Sequence, residues 1–150
     1  MRRTRFDKAP CPIARVSDLI GDWWTPLVLR EAFLGKRRFE DIQTALGVPR
    51  AVLAKRLARL VDEGLLDKVL YEEHPPRHEY RLSAKGTAFI DVLAAMWRWG
   101  SDWLWEDGAP VVLLDRATKR EVRPIVVDEA TKERIDPSTI TVARARRGCS

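Results

Sequence analysis

Seven cationic side chains, Lys36, Arg37, Arg38, Arg50, Lys55, Arg56 and Arg59, are gathered between positions 36 and 59. Only Glu40 and Asp41 oppose them there, so this window alone carries +5, equal to the formal net charge of the chain. Positive charge clustered in this way points to a polyanion, with a solvated helical face as the bland alternative. A second chemistry is offered by Cys11 in "KAPCPIARV". If a helix begins near Pro12, the thiol sits where the helix dipole and unpaired N–H groups favour a thiolate. Lys8 and Arg15 are close in sequence, and the alternative is a small apolar residue without chemistry. His74 and His78 are the only histidines. They are four apart, but alternate positions of a strand do not converge as a helical pair does, and no cysteine or carboxylate nearby completes a set.

These residues exclude more than they select. Cys11 and Cys149 lack a CxxC spacing, so neither a metal knuckle nor a disulfide framework is expected. No nucleophile stands beside a base, and no GxGxxG or P-loop pattern occurs, so no enzyme and no cofactor is expected. The remaining classes are duplex DNA binding and a module for RNA or protein contacts.

A length of 150 residues suits one domain with a small appendage. With 45% hydrophobic and 33% charged residues, the composition reads as soluble and globular. No apolar run reaches the roughly 18 residues of a membrane span, and "MRRTRFDKAP" has no signal-peptide core, which implies a cytoplasmic protein away from membranes. Ile13 to Leu34 follows a helical period interrupted at Gly21-Asp22 and ended by Gly35. "RFEDIQTALG" is a short helix, and Pro49 to Glu63 is the next, with Leu53, Leu57, Leu60 and Val61 as its apolar stripe. So tight a turn forces the two to cross steeply, as in a helix-turn-helix.

On this reading Val52, Lys55, Arg56 and Arg59 lie opposite the apolar stripe. There an arginine can pair bidentately with guanine and Val52 can touch a thymine methyl. "LLDKVLYEEHPPRHEYRLS" reads as strands Leu65 to Tyr71 and His78 to Leu82, a wing whose Arg77 and His78 could reach backbone or minor groove. Glu72 and Glu73 oppose that contact. Arg37, Arg38 and Arg50 complete the candidate DNA-binding set.

A last long helix starts at Ser83. It carries Trp97, Trp99, Trp103 and Trp105 within nine residues, more aromatic surface than one face of a small domain buries. Either these residues meet a second subunit, or Trp23, Trp24, Met96, Trp97 and Trp103 line a pocket for a small apolar or aromatic effector. Beyond it, "LDRATKREVRP" and "VDEATKERIDP" match at an offset of 13 residues. They predict consecutive hairpins, with "PVVLL", "VRPIVV" and "TITVARA" as strands of a small meander. The outline is that of a zinc ribbon, but Thr118 and Thr131 occupy the turns instead of cysteine pairs, so no metal is expected.

Residues 11 to 100 resemble the HxlR family of winged helix-turn-helix regulators, relatives of the MarR group. The resemblance rests on Cys-Pro at 11–12, Gly21-x-x-Trp24, Gly35-x-x-Arg38-Phe39, Arg56-Leu57 and Glu79-Tyr80-x-Leu82-Ser83-x-x-Gly86, with "WRWG" beyond. It implies a mainly α fold with a small β wing, a cytoplasmic homodimer and a palindromic operator, with repression as the expected mode. It also implies that Cys11 matches the reactive cysteine of the family's oxidant- and electrophile-sensing branch. Departures are Asp22-Trp23, where a basic residue before the tryptophan is usual, Ser83 in place of threonine, and the two-hairpin tail. None is expected to touch the DNA-reading face. The chain is thus expected to divide into a DNA-binding and dimerisation domain, 1–108, and a β-rich extension, 109–150.

Overall fold

The computed structural model describes residues 6–144. Its element order is α1 (Pro12–Ile20), α2 (Trp24–Phe33), α3 (Phe39–Leu46), α4 (Arg50–Asp62), β1 (Leu66–Glu73), β2 (Pro76–Leu82), α5 (Ala84–Ala88) and α6 (Ile90–Trp103). The chain separates into two compact units after Leu93, inside α6.

In the first unit, local chemistry sets the helix ends. Pro12 occupies the first turn of α1 with Cys11 at its N-cap, where the missing proline N–H costs nothing. The Asp22 carboxylate accepts the backbone N–H groups of Trp24 and Thr25, both at 3.0 Å, and the Thr25 hydroxyl at 2.7 Å. Gly21-Asp22 is therefore the cap of α2 as well as the break after α1. Gly47 ends α3 at φ 62°, a left-handed conformation that costs glycine no Cβ clash, and it turns the chain into α4.

The core gathers Val28 and Leu29 of α2, Ile42 of α3, Leu53, Leu57 and Leu60 of α4, and Val48, Leu65, Leu66 and Phe89 around them. Three of the four stripe positions expected on α4 are fully buried, whereas Val61 and Val52 are only partly so. β1 and β2 pair antiparallel from Leu66 opposite Leu82 to Glu73 opposite Pro76. The strands run further into the acidic tip than the sequence suggests, leaving only His74-Pro75 between them. Register slips between Leu70 and Glu72, so Tyr71 is an extra residue in β1. On the other edge of β2, Arg38 bridges Glu79 and the Tyr80 N–H donates to Arg37 O at 2.7 Å. The segment before α3 is thereby tied into the wing.

The expected single last helix is instead broken at Phe89. Ser83 does cap the first piece, its hydroxyl accepting Gly86 N–H at 3.0 Å. A Cβ on Gly86 would fall 2.0 Å from Leu65 O, so the close approach of this turn to the strand entry requires glycine. α6 contains no buried residue.

The second unit replaces the predicted meander with turns. Among its described residues the only pairings are two single bridges, Leu114 with Glu121 and Val127 with Arg134. The repeat is nonetheless real in three dimensions. Asp115 accepts the N–H groups of Ala117 and Thr118, and Asp128 those of Ala130 and Thr131. Lys119 and Lys132 follow at φ 58° and 60°. Asp136 forms a third such turn with Ser138, unanticipated in the sequence because its spacing differs. These turns satisfy the backbone locally, so they need no sheet.

Candidate nucleic-acid interface

The cations of the helix-turn-helix fall into two groups with different surroundings. Arg50 and Lys55 are exposed on α4, together with Ala51, Ala54, Ala58 and Asp62. Arg56 and Arg59 are not on that outward face. Arg56 Nε lies 3.2 Å from Asp22 Oδ1, close enough for an ion pair but not aligned for a hydrogen bond. Arg59 Nη2 donates to the Asp18 carbonyl at 2.6 Å and stands 3.6 Å from Asp18 Oδ2. Their side chains are 23% and 25% exposed.

The placement of Val52, Arg56 and Arg59 opposite the apolar stripe is thus corrected. At about 100° per residue from Leu53, Leu57 and Leu60, only Lys55 lies nearly opposite, while the other three fall on the flank. The alanines at 51, 54 and 58 were the readable signal for the outward face, and they were missed. Small side chains there let the helix backbone approach a partner closely, and an alanine methyl can meet a thymine methyl. Asp22, one of the departures from the family pattern, is the partner of Arg56 on the flank of α4, away from the outward face. Trp23 itself is 81% exposed.

Other cations gather where the helix-turn-helix meets the wing. Arg38, Arg50, Lys68, Arg77 and His78 line a cleft of about 630 Å³ together with the aromatic Phe39, Tyr71 and Tyr80 and the carboxylates Glu40 and Asp41. The guanidinium of Arg38 stacks 4.8 Å over Tyr71, and that of Arg50 stacks 4.7 Å over Phe39. Such stacking fixes a guanidinium plane without using its N–H donors, and Arg38 Nε also stands 4.0 Å from Glu79 Oε1. Arg77 pairs with Glu72 at 3.3 Å, so the acidic tip does restrain it. Arg37 is exposed. Burial, then the nearby Glu40 carboxylate, push the Tyr80 hydroxyl above its ordinary pKa.

Behind this face, Glu31 is closed off at 4% side-chain exposure and held by Lys36 at 2.6 Å and Arg30 at 2.7 Å. Burial acts to raise its pKa, but the hydrogen bonds from Lys36 and Arg30 outweigh it and leave it lowered. Lys36 is therefore committed inward, which removes one cation from the cluster.

The remaining candidates fall in both units. Cys11 is a free, exposed thiol. Cys149 lies outside the described residues. Trp24 packs on the core of the first unit, whereas Met96, Trp97 and Trp103 belong to the second, where Met96 and Trp103 are exposed. A cavity of about 220 Å³ in the second unit is lined by Trp97 and by residues of α6 and 108–124, without Met96 or Trp103. Asp102 receives Arg98 at 2.5 Å and Arg123 at 2.9 Å; the Arg98 hydrogen bond is the main cause of its lowered pKa. Among the described residues no helix is long and apolar enough to cross a membrane, and no group of three His, Cys, Asp or Glu could hold a metal.

A helix-turn-helix followed by a paired wing, with cations on both, defines a winged helix-turn-helix transcriptional regulator, a class of DNA-binding proteins and not of enzymes. The chain belongs to the HxlR family, since the HxlR-like helix-turn-helix family matches residues 19–107. It is 36% identical over 130 residues to an HTH-type transcriptional regulator of Mycobacterium tuberculosis, covering 86% of this chain and 82% of the relative. It is 43% identical over 105 residues to one from Synechocystis, covering 69% and 78%. The crystal structure of PA1607, described as a candidate transcription factor, superposes with a TM-score of 0.85 at 35% identity, covering 95% of this chain and all of that one. The reduced form of the transcriptional regulator YodB from B. subtilis gives 0.56 at 28% identity, covering 66% and 98%.

Proposed function

We propose that this regulator binds a palindromic operator in duplex DNA as a homodimer and represses transcription from it. The observation that carries the reading is the outward face of α4, where Arg50 and Lys55 flank a row of alanines beside the wing cleft. A major groove admits such a helix. Arg50 and Lys55 then read or brace the groove, while Arg37, Arg38, Arg77 and His78 hold sugar and phosphate. Val52 supports α4 from its flank. The dimer reading is supported by apolar side chains left in solvent on α6, Trp99 at 60% and Trp103 at 74% exposed.

The test is duplex binding measured against salt, with the region upstream of its own gene and a mixed-sequence duplex as probes. Log affinity should fall steeply with log salt for both, with the upstream region bound more tightly at every concentration. No binding, or a flat salt response, removes the DNA reading in favour of an RNA or protein partner. Sedimentation of the free protein as a monomer would remove the dimer.

For signalling, exposure of Cys11 at the head of α1 supports a response to oxidants or electrophiles. So does the similarity to the redox regulator HypR in its reduced form, at a TM-score of 0.58 and 25% identity. Alkylation of Cys11 should then lower operator affinity, and Cys11→Ser should abolish that response. If the serine variant responds equally, a small effector is the better reading.

A further inference from the structure

We infer that Asp18 and Asp22 withhold Arg56 and Arg59 from DNA, and thereby set the sequence specificity of α4. The inference rests on the DNA reading above and deepens it. Four cations lie on α4, but only Arg50 and Lys55 face outward with no carboxylate at ion-pair distance among the described residues. The other two are turned to the α1–α2 junction. Arg59 is held by both the carbonyl and the carboxylate of Asp18, which is itself buried. Arg56 is met by Asp22, whose Oδ1 is already engaged by two backbone N–H groups of the α2 cap. Arg56 Nε is consequently buried without an aligned hydrogen bond.

Asp22 thus does two things at once. It starts α2, and it neutralises a cation of the neighbouring helix. Phosphate contacts add affinity without sequence information, whereas base contacts discriminate. Two flanking arginines free to swing onto phosphates would raise binding to every sequence alike. Two arginines paired inside the protein instead fix the position of α4, and recognition depends on the small-residue face. Arg56 and Arg59 are positioning residues on this view, and Asp18 and Asp22 are specificity-determining ones.

The test is the salt dependence of binding to a mixed-sequence duplex by the full chain, wild type and variants. Asp22→Asn keeps the amide oxygen as the cap of α2 and removes the charge, so the helix start is preserved. Its salt slope should steepen by about 0.9, the increment for one added phosphate contact. Its preference for the upstream region over the mixed duplex should fall. Arg56→Gln alone should leave the slope of the wild type unchanged, and Asp22→Asn combined with Arg56→Gln should restore the wild-type slope. Asp18→Asn provides an independent second case through Arg59, which keeps its bond to the Asp18 carbonyl.

A merely structural role for these pairs changes thermal stability without moving the slope, and that result overturns the inference. So does a slope for Arg56→Gln shallower by about 0.9, since the arginine would then already touch DNA. Equal steepening by Asp22→Asn in the Arg56→Gln background also overturns it, as a general field effect. Wild-type protein that binds no duplex sinks the DNA reading itself, and this inference with it. Salt-dependent binding with unmoved slopes sinks this inference alone.

Discussion

The two units of the chain reach their shapes by opposite means. The winged unit is organised by burial: Val28, Leu29, Ile42, Leu53 and Leu57 are fully out of solvent, drawn from three successive helices. The extension contains no buried side chain among residues 109–144. It is shaped by carboxylates that each bind the backbone two or three residues ahead. The difference teaches where a single change is felt. In a shared core it propagates, because every wall of the cavity belongs to another element. In a run of local turns it stops within the turn.

The sharpest way to break this contrast is Leu57→Ala. With the side chain fully buried, it should cost about 2–5 kcal/mol and lower the urea midpoint of the winged unit. Gly86→Ala should follow at about 1–3 kcal/mol, because the new methyl meets backbone and not a side chain that can yield. A loss below about 0.5 kcal/mol there would mean that the turn relaxes freely.

Smaller still is the contribution of Glu31, which appears as a pH dependence. Its folded pKa is lowered, so the stability it contributes is complete above the ordinary glutamate value of about 4.3 and is lost as pH falls through the lower folded value. Thermal melts between neutral and acid pH should therefore decline, and Glu31→Gln should flatten that decline while lowering stability at neutral pH.

The least effect is expected from Asp128→Ala. It should leave the urea midpoint of the winged unit unchanged while amide exchange at Ala130 and Thr131 accelerates. A shifted midpoint would end the contrast between burial and local turns. Asp128 is held below its usual pKa, chiefly by the Thr131 N–H, so acid should loosen that turn in the wild type too.

Much of the first unit was legible because its periodicity and its caps agree. Leu53, Leu57 and Leu60 recur at helical spacing, and Gly47 and Ser83 mark ends that the backbone obeys. The break at Phe89 was not legible, since the apolar pattern runs straight through it. The 13-residue repeat announced its turns through Asp, Thr and Lys, yet it suggested strands that do not form. A strand needs a partner along its length, and here each Asp closes its own turn and leaves one bridge. Charge counting locates the basic window but not which of its side chains meet Glu31, Asp22 and Asp18.

By itself, the sequence determined which residues carry charge, where the helices before the wing are capped, and which family the chain joins. These follow from local backbone chemistry and from apolar spacing, both contained within a few turns of chain. Only the tertiary structure decided which cations are available. Asp18 lies 41 residues from Arg59 and Asp22 lies 34 from Arg56. Nothing in either segment's spacing reports the other until burial of the Leu57 face brings them together.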